Sequence, residues 1–95
     1  MLQVTTTPEG RPALWGDLDL ATVPALEAVL AQLDGATEVD LSGVTFFDST
    51  ALRCLLVVRR RNANLRIVNP SKSVVRVLEI TGTLDYLVDG REINW

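Results

Sequence analysis

The chain has 95 residues, 47% of them hydrophobic, and its 12 acidic and 9 basic side chains leave a net charge of −3. That length suits a single small domain over 1–95, able to bury a core without staples. The acidic balance excludes the broad basic face that nucleic-acid binding requires. Histidine is absent and Cys54 is the lone cysteine. This removes the commonest general base, a Cys–His nucleophile pair, an internal disulfide and a cysteine metal cluster.

Leu2–Thr6 reads as a strand. Thr7–Pro8–Glu9–Gly10 has Pro second and Gly fourth, which suits a type I turn. Pro12–Gly16 then returns as the second strand of a hairpin, with Ala13 and Trp15 on one face. After a loop over Asp17–Ala21, Thr22 is the expected N-cap of a helix with Pro24 in its first turn. Leu26, Val29, Leu30 and Leu33 have helical spacing, and Gly35 stops the helix.

Glu38–Ser42 alternates Val39 and Leu41 against Glu38, Asp40 and Ser42, as a strand does. Beyond Gly43, Val44–Phe47 leads into Asp48–Ser49–Thr50, and Thr50–Arg61 is a second helix. Ala51, Leu52, Cys54, Leu55, Leu56, Val57 and Val58 make it apolar on nearly every side, so it is expected to be deeply buried or covered by a partner. Arg59–Arg61 is expected to stay solvated at the negative end of that helix. Asn62–Asn64 breaks it, Leu65–Val68 is a fourth strand and Asn69–Pro70 a turn. Ser71 caps a third helix through Ile80, Gly82 ends it, and Leu84–Val88 is a short final element. Strands alternating with helices imply βαβ crossovers, an α/β class with a mostly parallel sheet beyond the hairpin.

Little of this carries chemistry. A Ser–His–Asp arrangement is impossible, and Ser49 has no lysine close in sequence to act as its base. Asp17, Asp19, Asp40 and Asp48 offer oxygens to a hard cation, but their spacing matches no loop motif. No GxxxxGK[ST] or GxGxxG occurs. Cys54, inside a helix among leucines, reads as a small buried hydrophobe. We therefore expect no catalysis, resident metal or cofactor in this chain. No stretch of about 18 apolar residues and no secretory leader is present, so a soluble cytoplasmic protein without membrane insertion is expected.

What remains is the junction at Asp48–Ser49–Thr50. A helix N-terminus presents unpaired N–H groups and the positive end of the dipole. Ser49 is the simplest N-cap, with Asp48 and Thr50 as alternative caps in the same turn. A capping hydroxyl at a surface turn is also within reach of a kinase.

Three segments around this junction resemble the STAS domain, the module of sulfate transporters and anti-sigma factor antagonists. Gly16–Asp17–Leu18–Asp19–Leu20–Ala21–Thr22, followed by Pro24–Ala25–Leu26, is similar to the family's G-x-L-D loop and first helix. Val39–Thr50 is similar to its D-L-S-x-V-x-F-x-D-S-[ST] strand and turn, the most specific of the three. Leu65–Ser71, with Val74, Leu78, Gly82 and Leu84, completes a likeness running from about Leu2 to Val88. One departure is visible: Ala51 stands where the family usually has Gly, which a first helical turn accepts unless φ must be positive.

The resemblance implies a mostly parallel or mixed sheet of four to five strands with three to four helices. It implies an anti-sigma factor antagonist that binds an anti-sigma factor, frees a sigma factor for transcription, and is switched off by phosphorylation at Ser49, with Thr50 the lesser acceptor. The implied partner-binding residues are Asp19, Asp48, Ser49, Thr50, Ala51 and Arg53. The anti-sigma factor would be a serine kinase with a histidine-kinase-like fold, carrying the ATP and Mg²⁺, and a phosphatase would reverse the modification. The alternative within the family is a subunit of a membrane lipid-transport ABC complex, docked on its ATPase without being phosphorylated. A small-ligand sensor, with a pocket between the Asp19 loop and the Ser49 turn, has no sequence feature of its own.

Overall fold

The computed structural model describes residues 1–32 and 37–89. Its first two strands, β1 (Leu2–Thr6) and β2 (Pro12–Leu18), form the expected hairpin, with Leu2 opposite Gly16 and Thr6 opposite Pro12. The turn closes where the Pro and Gly placement puts it. Gly10 N–H donates to the Thr7 carbonyl at 2.9 Å, and Thr7 N–H donates to the Arg11 carbonyl at 2.7 Å. β2 runs past the expected Gly16 end because Leu18 is a core residue, paired in register with Phe47 of the next strand.

That strand, β3 (Thr37–Phe47), pairs in parallel with β2 on one side and with β4 (Leu65–Val68) on the other. The sheet is four-stranded and mixed, in the order β1-β2-β3-β4. β3 is continuous through Gly43, where the sequence suggests an interruption. Its pairing explains why the pattern misleads. Ala13 faces Asp40 but Trp15 faces Gly43, and Gly16 faces Val44 but Asp17 faces Phe46. Each step adds one residue to β3, the signature of a bulge. The inward set consequently changes phase, from Val39 and Leu41 to Val44 and then Phe47.

Ala13 and Trp15 do share a face. It is the outer one: Ala13 lies outside the core cluster, and Trp15 is 51% exposed. The Trp15 indole lies against Gly43, where an added Cβ would stand 2.5 Å from its ring.

The helices are α1 (Val23–Ala31), α2 (Ser49–Arg61) and α3 (Lys72–Thr81), followed by a π-helical turn at Asp85–Asp89. Leu14, Leu18, Val39, Leu41, Leu65 and Ile67 from the sheet meet Leu26, Leu30, Leu52, Leu55, Val74 and Leu78 from the helices in one cluster. The helices thus cover one face of the sheet. Leu26 and Leu30 form the expected stripe of α1, whereas Leu33 and the Gly35 stop lie outside the described residues. Ser71 caps α3, its Oγ accepting from Val74 N–H at 3.3 Å. Gly82, in the left-handed region at φ 72°, ends that helix.

One expectation for α2 is narrowed and another is corrected. It is not deeply buried on all sides, because Val57 is 39% exposed and Arg53 is exposed as well, so of the two expected readings deep burial fails. Arg59 is not solvated either: it is 3% exposed, with its guanidinium carbon 4.3 Å from the centre of the Tyr86 ring. Helical spacing sets both results. Leu52, Leu55 and Arg59 lie on one stripe, so the core-facing side runs into Arg59, whose cation stacks on an aromatic face. Among the described residues, no helix is long and apolar enough to cross a membrane.

Candidate functional site

Parallel pairing of β2 and β3 brings their C-terminal ends together, and each strand there leads into a helix. Ligand and partner sites of open α/β sheets form at such carboxyl ends. The Asp19 loop and the Asp48 turn are joined directly. Asp48 N–H donates to the Leu18 carbonyl at 3.2 Å, and Leu20 N–H donates to the Asp48 carboxylate.

The expected Ser49 cap does not form; of its two alternatives, Asp48 takes the position. Its backbone is extended at φ −118°, and its Oδ1 accepts from Thr50 N–H at 3.0 Å and Ala51 N–H at 3.1 Å. The Thr50 hydroxyl donates to the same oxygen. α2 therefore begins at Ser49, one residue earlier than its expected start, and the Ser49 hydroxyl takes no part in the cap and is exposed. A carboxylate outdoes the hydroxyl here because it is the stronger acceptor and carries the charge that the helix N-terminus favours. Burial works against that charge, but the bonds from the Thr50 hydroxyl and from the Ala51, Thr50 and Leu20 N–H groups outweigh it. They hold the Asp48 carboxyl below the usual carboxylate range.

Ala51 adopts ordinary helical backbone rather than a positive φ. Its methyl is fully buried in the core cluster, so the departure from glycine is absorbed inside the fold. Arg53 is exposed one turn further along α2, while Asp19, Asp48 and Thr50 are half-buried.

The Asp19 loop is built by local hydrogen bonds. Asp19 Oδ1 accepts from Ala21 N–H at 3.0 Å and Thr22 N–H at 3.1 Å, an Asx-type turn. Thr22 stands at the N-cap position of α1 but does not cap it, contrary to the sequence expectation. Its hydroxyl is committed elsewhere, donating to the Asp17 carbonyl at 2.8 Å and accepting from Asp19 N–H at 3.0 Å. The glycine of the G-x-L-D segment has a steric reason. Gly16 sits at φ +100°, and a Cβ there would lie 2.1 Å from the Met1 carbonyl oxygen.

Asp17, Asp19, Asp40 and Asp48 do not converge. Asp17 pairs with the Met1 ammonium at 3.2 Å, and Asp40 accepts from Asn69 Nδ2 at 3.0 Å and Ser42 N–H at 2.8 Å. Among the described residues, no three carboxylate or thiol groups gather as a metal cage.

Beside the turn, a groove of about 510 Å³ runs between α1 and α2. Val23, Leu30, Cys54 and Val57 line it, with Glu27 on the α1 side and Thr50, Arg53 and Arg61 on the α2 side. Burial and the nearby Glu27 push the Cys54 thiol up from its ordinary pKa. It is a packing residue in its neutral form, not an activated thiolate. Sequence reasoning missed this groove, and it also missed Leu20, 73% exposed beside Asp48. The available signal for Leu20 was an apolar residue in a loop that belongs to no periodic stripe.

The comparisons with known proteins agree with this geometry. A family model described as "Mlab, STAS domain" matches residues 4–89. The anti-sigma-B factor antagonist of Staphylococcus epidermidis is 34% identical over 89 residues, covering 83% of this chain and 82% of the relative. That of Staphylococcus aureus strain NCTC 8325 / PS 47 is 35% identical over 89 residues with the same coverage. A match extending from the hairpin through the last described turn, on a four-stranded mixed sheet, means that the chain belongs to the STAS domain family.

Proposed function

We propose that this protein is an anti-sigma factor antagonist acting in the cytoplasm as a single STAS domain. It docks on an anti-sigma factor through the Asp19 loop and the Ser49 turn, with Asp48, Thr50 and Arg53 in the contact. The anti-sigma factor is a serine kinase holding its own ATP and Mg²⁺. It transfers the γ-phosphoryl group to the Ser49 oxygen with ADP leaving, and a phosphatase reverses the step. The observation that carries this reading is the cap: because Asp48 satisfies the helix end, Ser49 keeps an exposed hydroxyl at the turn. The names of the staphylococcal relatives support the partner class.

The switch is electrostatic. Phosphate brings a charge of about −1.5 to −2 beside the ionised Asp48. A hundredfold loss of affinity requires only about 2.7 kcal/mol, and burying an unpaired charge at an interface exceeds that. Mixing the protein with candidate kinase anti-sigma factors and ATP, then mapping the phosphate, tests the assignment. Incorporation should vanish in Ser49→Ala; undiminished stoichiometry in that variant overturns the site. Ser49→Asp should weaken partner binding strongly, and an unchanged affinity refutes the charge switch.

The alternative implied by the STAS family resemblance is that the same turn docks constitutively on the ATPase of a lipid-transport ABC complex. Recovery of such an ATPase in a pull-down, with no dependence on phosphorylation, would select it.

A further inference from the structure

Phosphate at a helix N-terminus ordinarily finds backbone N–H donors. At this turn those of Thr50 and Ala51 already donate to Asp48. Beyond its own N–H, a phosphoryl group on Ser49 must therefore be satisfied by side chains, and the charged groups around it decide which. Asp48 in the cap, Asp19 in the adjoining loop and Glu27 across the groove are all acidic and offer it nothing. Arg53 is different. It lies four residues after Ser49 on α2, and at that spacing side chains share a face of the helix, with Cβ atoms about 5–6 Å apart. Both residues are exposed. Among the described residues Arg53 forms no ion pair. The acid precedes the base along the helix, which is the favourable order, and guanidinium matches phosphate in a bidentate fork.

We infer that Arg53 is the cis receptor of a phosphate on Ser49, which captures its guanidinium across one turn of α2 and withdraws that cation from the mouth of the α1–α2 groove. The inference rests on Ser49 being the acceptor and adds how the modification acts. The unmodified protein presents this cation in a groove also lined by apolar Val57 and Leu30, a feature that attracts an acidic group on a partner. The modified protein presents a phosphate paired to that cation, with Asp48 beside it. One phosphoryl group thereby both adds negative charge and removes a positive contact, with no rearrangement of the cap.

The test needs neither kinase nor partner, so it is separable from failure of the functional reading. Phosphoserine is placed at position 49 of the full chain by genetic encoding, and its second ionisation, ordinarily near 6, is followed by ³¹P NMR. A nearby cation favours the dianion, so Arg53→Gln should raise that midpoint by about 0.3 pH unit at low salt, an effect that shrinks at high salt. Arg60→Gln, an exposed change on the same helix, should leave it unmoved. In ¹⁵N spectra the Arg53 Nε–H resonance should shift on phosphorylation while that of Arg60 does not. An unchanged midpoint in Arg53→Gln overturns the inference, and so does an equal rise in Arg60→Gln, which would mark a general field rather than a pair.

Discussion

Asp48 Oδ1 lies 3.1 Å from the backbone nitrogen of Ala51, and this bond separates the residue that caps α2 from the residue that faces solvent. Removing the cap should cost about 1–2 kcal/mol, whereas Ser49→Ala, on an exposed hydroxyl outside the cap, should stay within about 0.5 kcal/mol. Urea unfolding of Asp48→Ala and Ser49→Ala measures both. Equal losses would mean that Ser49 shares the capping role.

The same cap ties stability to pH. Hydrogen bonds hold the Asp48 carboxyl below its ordinary 3.8 in the folded chain. Such a group stabilises the fold fully above its unfolded pKa, and the contribution disappears as pH falls through the lower folded value. Asp40 behaves alike, with burial opposed by the Asn69 side chain, Ser42 and the positive charge of Arg11. Unfolding midpoints should therefore drop below pH 4 in the parent protein, and the drop should be shallower in Asp48→Asn, which keeps a capping oxygen but cannot titrate. Parallel curves would refute the linkage.

Gly43 and Trp15 form a second testable pair. A methyl at position 43 would stand 2.5 Å from the Trp15 ring, so Gly43→Ala should destabilise by about 1–3 kcal/mol as an overpacked contact. In a Trp95→Phe background, the Trp15 fluorescence should change with it. Adding Trp15→Ala should return most of the loss. Gly16→Ala should be worse than Gly43→Ala, because it meets the fixed Met1 carbonyl at a left-handed φ.

Arg59 and Tyr86 link α2 to the π-helical turn. Arg59→Ala should destabilise more than Arg60→Ala, its exposed neighbour. A double-mutant cycle with Tyr86→Ala should show a coupling of about 0.5–2 kcal/mol. No coupling would mean that the two side chains act independently.

Most elements were legible because their signals are local. The Pro8–Gly10 turn, the Ser71 cap with Gly82, and the Leu65–Val68 strand each depend on a few adjacent residues, and all three form as read. β3 was harder. Its alternation over Val39 and Leu41 held, but two extra residues opposite β2 changed which side chains point inward beyond Gly43. A bulge is a property of the pair, and neither strand announces it alone. The Asp48–Ser49–Thr50 junction was visible as a helix start, yet three side chains could each have capped it.

By itself, then, the sequence determined the α/β alternation, the hairpin, the stops of α2 and α3 and the position of the strand-to-helix junction, because propensity, turn chemistry and periodicity act over a few residues. Only the tertiary structure decided that Asp48 is the cap and Ser49 the exposed hydroxyl, since Leu20 N–H from another loop helps hold the carboxylate. It also decided that Arg59 turns inward over Tyr86 and that α1 and α2 leave a groove beside Arg53. These depend on which segments pack together, and hydrogen-bond competition and burial are settled only when distant parts of the chain meet.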